Sequence, residues 1–153
     1  MQSSDPRPTV YPCLAYDDAA AAIDWLVRVF GLRRHLVVPG EGGTILHAEL
    51  GFGGGIVMAG TAKEDSAVGC RSPRMLGGAC MALALYVEDV DAHYAASRAA
   101  GAGIVLDIAD TPYGSRGYTA RDPEGYTWTF GTYRPAFAPD DAAEPESAGA
   151  MTE

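Results

Sequence analysis

A pattern that opens at Asp18, DAAAAIDWLVRVFG, returns at Asp89 as DVDAHYAASRAAG, 71 residues later. The same offset carries Gly54 in LGFGGGIVM onto Gly125 in DPEGYTWTF. Self-similarity of this kind marks two copies of one structural unit. Each copy reads as a strand, a helix and three strands. In the first, strands are expected near 9–16, 32–38, 43–50 and 55–60, with a helix over 19–30. In the second, they are expected near 80–87, 103–108, 115–121 and 126–132, with a helix over 90–100. The fold class that follows is α+β, built from two βαβββ modules.

Local chemistry supports the helices. Ile23, Leu26 and Phe30 form one apolar stripe at helical spacing. Asp17 or Asp18 can cap the first helix and Gly31 can end it, while Asp89 and Gly101 bracket the second. Glycine makes up 19 of 153 residues, against a usual share of about 7%, which favours tight turns and short strands over a helical bundle. The sequence divides into a loose arm (1–8), a first module (9–60), a linker (61–78), a second module (79–134) and an acidic, Pro- and Ala-rich tail (135–153) expected to be disordered.

The net charge of −9 argues against a nucleic-acid partner, which needs a basic face. An acidic body either favours a cationic ligand or simply keeps the chain soluble. No apolar run reaches the roughly 20 residues of a membrane span. The opening MQSSDPRPTV lacks a basic-then-apolar signal pattern, so a cytoplasmic protein is expected. Three cysteines, Cys13, Cys70 and Cys80, with no CxxC pair, suggest neither a disulfide scaffold nor a zinc site. Cys13, on an apolar strand, is expected to be an inert thiol. The glycines of GFGGGIV lead into a strand rather than a helix, so the phosphate-cradling geometry is missing.

The segments YDDAAAAIDWLVRVFGL, YVEDVDAHYAASRAAGAG and PYGSRGYTARDPEGYTWTFG together resemble the vicinal oxygen chelate superfamily, which includes glyoxalase I, extradiol dioxygenases, fosfomycin-resistance transferases and bleomycin-resistance proteins. DPEG followed by a strand is the strongest local mark. The resemblance covers about residues 9–133 and implies a curved mixed sheet around a central cavity, and a homodimer. It also implies where a divalent ion would sit: on His and Glu side chains of the first and last strands of the halves, polarising vicinal oxygens of a substrate. Carried over position by position, those sites fall on Tyr11, Met58, Ala82 and Thr129, and a two-residue shift of register brings in Cys13, Ala84 and Thr127. None is a histidine or a carboxylate, so no metal and no cofactor is expected. His93 belongs to a helix and His35 to a strand surface. His47 and Glu49 share one strand face, either as a hydrogen-bonded pair or as the start of a metal site for which no third ligand is in view.

If the old ligand positions point inward, Tyr11, Cys13, Ala15, Ala82, Ala84, Tyr86, Thr127 and Thr129 line the cavity, while Leu14, Met81, Leu83, Leu85, Trp128 and Phe130 pack under the helices. Small walls with a few polar groups suit a ligand pocket; alternatively the alanine faces close on each other. Tyr113, Arg116 and Tyr118 belong to a stretch that borders the binding crevice in bleomycin-resistance-type members. Arg116 could hold a ligand carboxylate or phosphate, or pair with Glu124 or Asp122 and fix the turn; Arg121 is expected to be structural. The reading that results is a metal-free protein that binds a small organic molecule, aromatic or cationic, such as an antibiotic. The alternative is a glyoxalase-like lyase, isomerase or cyclase, without a metal or with a relocated one. Whether a reaction is catalysed stays open at this point.

Overall fold

A computed structural model describes residues 7–135. Most of the expected N-terminal arm and of the expected acidic tail, residues 1–6 and 136–153, lies outside the described residues. The chain runs β1 (Cys13–Tyr16), α1 (Ala19–Phe30), β2 (Arg33–Pro39), β3 (Ile45–Phe52), β4 (Gly55–Thr61), α2 (Pro73–Leu76), β5 (Ala82–Tyr86), α3 (Val90–Ala99), β6 (Gly103–Asp110), β7 (Arg116–Arg121) and β8 (Thr127–Gly131). It forms two four-stranded mixed sheets of identical topology, β1-β4-β3-β2 and β5-β8-β7-β6, each with one parallel pair and two antiparallel pairs. Two βαβββ modules are thus present, and the sheets are not closed into a barrel.

Capping sets both long helices. The Asp18 carboxylate accepts the Ala21 N–H at 3.0 Å and Asp89 accepts that of Ala92 at 3.0 Å. Gly31, at φ 78°, takes the left-handed conformation that ends α1. The buried side of α1 holds Ala19, Ala22, Ile23, Leu26, Val29 and Phe30, the stripe legible in the sequence with its flanking small residues.

One core serves both modules. Phe30 packs against Trp128 and Phe130 with ring centroids 5.5 and 4.8 Å apart. Two α3 side chains close the end of α1, whose last carbonyls have no partner within the helix. Ser97 donates to the Val29 carbonyl at 3.0 Å, and the His93 ring donates from Nε2 to the Phe30 carbonyl at 2.9 Å. Because a carbonyl only accepts, Nε2 carries the proton, and Nδ1 accepts from the Tyr118 hydroxyl at 2.7 Å. His93 therefore joins α1, α3 and β7.

Three elements depart from expectation. The first strand begins at Cys13 rather than near residue 9: Pro12 has no N–H to give, and pairing starts with its carbonyl accepting the Met58 N–H at 2.9 Å. β3 starts at Ile45 because Glu41–Gly43 form a 3-10 turn with Gly42 and Gly43 at φ 63° and 80°. The linker holds a short helix, α2, capped by the fully buried Ser72, whose hydroxyl accepts the Met75 N–H and donates to the Asp17 carboxylate. Gly125, at φ 114°, sits against Pro73 of this helix; a Cβ there would meet the proline Cβ at 3.3 Å.

Candidate functional site

Strand alternation divides each sheet into a face under the helices and an open face. In the first sheet Leu14, Ala48, Leu50, Val57 and Ala59 are buried, and their neighbours turn away. Cross-strand pairing lines up Leu36, Glu49, Met58 and Cys13 as one row of the open face, with the Cys13 and Met58 sulfurs 3.9 Å apart. Val38 and His47 are opposite one another in the next row. In the second sheet Leu83, Tyr118, Ala120, Trp128 and Phe130 are buried, and the open row is Leu106, Thr119, Thr129 and Ala84. Thr119 and Thr129 join their hydroxyls at 2.9 Å. Ala82 and Ala84 are exposed, and Tyr86 lies beneath the Arg134 guanidinium, 4.8 Å from its ring. An apolar cleft of about 260 Å³ runs along the free edge of β5, lined by Val10, Pro12, Ile56, Met81, Ala82 and Ala84 among others.

The most polar point of the first open face is Glu49. One carboxylate oxygen lies 3.1 Å from His47 Nε2, and the other lies 3.7 Å from His35 Nε2. His35 thus joins the pair seen in the sequence. Pairing slips between Arg34 and Leu36, so strict alternation could not have placed it. The Glu49 side chain is 25% exposed, and among the described residues these two imidazoles, and no lysine or arginine, lie within 4 Å of its oxygens.

Other candidates lie elsewhere. Tyr11 precedes β1 and turns its hydroxyl to the Pro8 carbonyl, so it is not a strand residue facing a cavity. Tyr118 is buried on the helix side: it pairs with Phe130, while its neighbour Thr119 pairs with Thr129, so Tyr118 and Thr129 face opposite ways. Tyr113 is exposed in the turn after β6, edge-on to Tyr133. Arg116 pairs neither with Glu124 nor with Asp122. Its Nε and one terminal nitrogen donate to Asp91 at 3.1–3.2 Å and the other donates to Asp110 at 3.1 Å, tying α3 to β6. Both carboxylates hold its proton more firmly, the Asp91 bonds most of all.

The DPEG turn makes contacts that its sequence pattern does not show. Asp122 Oδ1 accepts the N–H groups of Glu124, Gly125 and Tyr126 at 2.9–3.1 Å, and Oδ2 accepts from the Tyr16 hydroxyl at 2.7 Å and Trp128 Nε1 at 3.0 Å. Burial, then the Asp122 charge, raises the Tyr16 hydroxyl well above its ordinary pKa. The Tyr126 hydroxyl donates to the Ala15 carbonyl at 3.2 Å and accepts the Ala15 N–H at 3.1 Å, standing in for a strand neighbour on the free edge of β1.

The sequence pattern of the Glyoxalase/Bleomycin resistance protein/Dioxygenase superfamily matches residues 9–130, nearly the whole two-module body. The chain belongs to this superfamily. It is 36% identical over 126 residues to an uncharacterized protein of Mycobacterium bovis, covering 82% of this chain and 83% of that one. A crystal structure of TioX from Micromonospora sp. ML1 superposes with a TM-score of 0.68 at 45% identity, over 81% of this chain and 97% of that chain. A lactoylglutathione lyase from Agrobacterium tumefaciens shares the fold, with a TM-score of 0.57 at 21% identity over 81% and 93% of the two chains.

The divalent ion used by metal-dependent members of the superfamily does not fit this donor set. The register places Cys13 beside Met58 and Ala84 beside Thr129, and these four, like Tyr11 and Ala82, include no imidazole and no carboxylate. Among the described residues no three His, Cys, Asp or Glu side chains are grouped to hold an ion. Nor is any described helix long and apolar enough to cross a membrane.

Proposed function

We propose that the protein binds a small organic molecule, aromatic or cationic in character and of the kind found among antibiotics, on the open faces of its sheets and without a metal. One observation carries this reading. At the positions that the resemblance carries over as ion ligands, this chain has Tyr11, Met58, Ala82 and Thr129, and the register neighbours Cys13 and Ala84 beside them are likewise small or soft, which leaves apolar volume in place of a charged centre. The similarity to TioX, itself a solved member of the fold, extends over the same modules. Leu36, Val38, Tyr86 and Leu106 are all exposed on or beside these faces. A second copy of the chain would cover them, which supports a homodimer as the binding form. No step of catalysis follows from the arrangement, and the reading is of a cytoplasmic binding protein that sequesters its ligand.

The experiment is a thermal-shift screen of aromatic antibiotics and 2-oxo metabolites. A ligand at a hundred times its dissociation constant adds about 2.7 kcal/mol to stability. A rise in Tm with an antibiotic, undiminished by chelator, supports the proposal. Stoichiometric metal in the purified protein, or turnover of a 2-oxo compound, overturns it in favour of a glyoxalase-like enzyme.

A further inference from the structure

We infer that Glu49 is the specificity-determining group of the binding face and that it selects ligands carrying a protonated amine beside an apolar or aromatic body. The inference deepens the proposed binding function and rests on it. One oxygen of the Glu49 carboxylate is hydrogen-bonded to His47 Nε2 at 3.1 Å, and the other lies 3.7 Å from His35 Nε2, beyond hydrogen-bond distance. Two carboxylate oxygens offer about four acceptor directions, so two imidazoles leave acceptor capacity over the sheet. No arginine or lysine is paired with it among the described residues, although Arg34, one strand away, is engaged by Asp24. A half-buried carboxylate without a permanent cation is completed by a ligand cation, and charge-assisted hydrogen bonds are the strong ones.

The surroundings fix the rest of the ligand. Glu49 lies between Leu36 on β2 and Met58 on β4, with Cys13 beyond, while Val38 lies opposite His47. An ammonium seated on Glu49 would therefore rest its carbon skeleton on Leu36 or Met58. The net charge of −9 draws such a cation towards the protein rather than repelling it.

The test uses three probes of one shape, 2-naphthylmethylamine, 2-naphthylmethanol and 2-naphthoic acid, titrated at pH 8 into the full-length 15N-labelled protein and followed through its backbone amide shifts. The amine is expected to shift amides of β2, β3 and β4 and to bind there about tenfold more tightly than the alcohol, a difference that Glu49→Gln removes. Glu49→Ala gives the same loss if the glutamine variant is poorly folded. Equal binding of amine and alcohol, retention of the preference in Glu49→Gln, or preference for the acid at this face overturns the role of Glu49 and leaves the binding function standing. If no probe shifts an amide on either open face, both readings fall.

Discussion

The carboxylate of Glu124, in the turn before the last strand, accepts the backbone N–H groups of Asp17 at 2.7 Å and Asp18 at 2.9 Å, at the entry of the first helix. A side chain of the second module thus caps a helix of the first. Glu124 is buried, and Arg74, at 4.0 Å, is its only basic neighbour within ion-pair range among the described residues. Removing the carboxylate strands two backbone donors at the seam between modules. Glu124→Ala is expected to cost about 2–4 kcal/mol, since a charged hydrogen bond contributes about 1.5–3 kcal/mol. Urea unfolding of the variant checks this; a loss below 1 kcal/mol would mean that water replaces the carboxylate freely.

Asp122 accepts five hydrogen bonds, so replacing one oxygen with an amide nitrogen turns a donor against donors. Asp122→Asn is expected to lose at least about 2 kcal/mol in the same assay. Tyr16→Phe should lose less, on the order of 1 kcal/mol, because it removes one donor and leaves the other four bonds in place.

Stability should depend on pH at both ends of the range. Burial lowers the pKa of His93 from its ordinary value of 6.5. A group whose folded pKa is depressed adds stability that is present above the unfolded value and lost as pH falls through the folded one. Tm should therefore decline as pH drops below about 6.5, and the decline should be shallower in His93→Gln. Tyr16 has the opposite sign. Its folded pKa is raised, so its contribution is full below about pH 10 and disappears as pH climbs beyond that. A Tm profile that is flat from pH 7 to 5 in the wild type would contradict the acid arm.

Neighbouring residues on β5 should respond oppositely. Leu83 is buried, and Leu83→Ala is expected to cost about 2–5 kcal/mol. Ala82 is exposed on the other face and in the cleft along the β5 edge, so Ala82→Leu should change stability by no more than about 0.5 kcal/mol. It should also obstruct whatever ligand the screen finds. Denaturant midpoints for the pair, with binding measured on Ala82→Leu, settle the point; a severely unstable Ala82→Leu would show that the face is closed in solution.

Much of the site geometry follows from alternation and was legible. Ala82, Ala84, Thr127 and Thr129 lie opposite Leu83, Leu85, Trp128 and Phe130 because a strand leaves no other choice. Both helices were legible to within a residue, since Asp18, Gly31 and Asp89 speak through local backbone chemistry. Tyr118 belongs to a stretch that by resemblance borders the crevice, but its pairing with Phe130 turns it to the helix side, which the motif does not encode. Arg116 found Asp91 and Asp110, acids from a helix and a neighbouring strand whose approach depends on how α3 packs.

The sequence by itself determined the repeat, the βαβββ order of each module, the ends of the two long helices and the face taken by residues of the regularly alternating strands, because each depends on neighbours within a few positions. Only the tertiary structure decided that Glu124 would cap α1, that His93 would bridge Phe30 and Tyr118, and that His35 would join Glu49. Those contacts link residues 14 to 107 positions apart in the chain. Their distances are set by how two sheets and two helices share one core, and by a strand irregularity at residue 35 that periodicity does not encode.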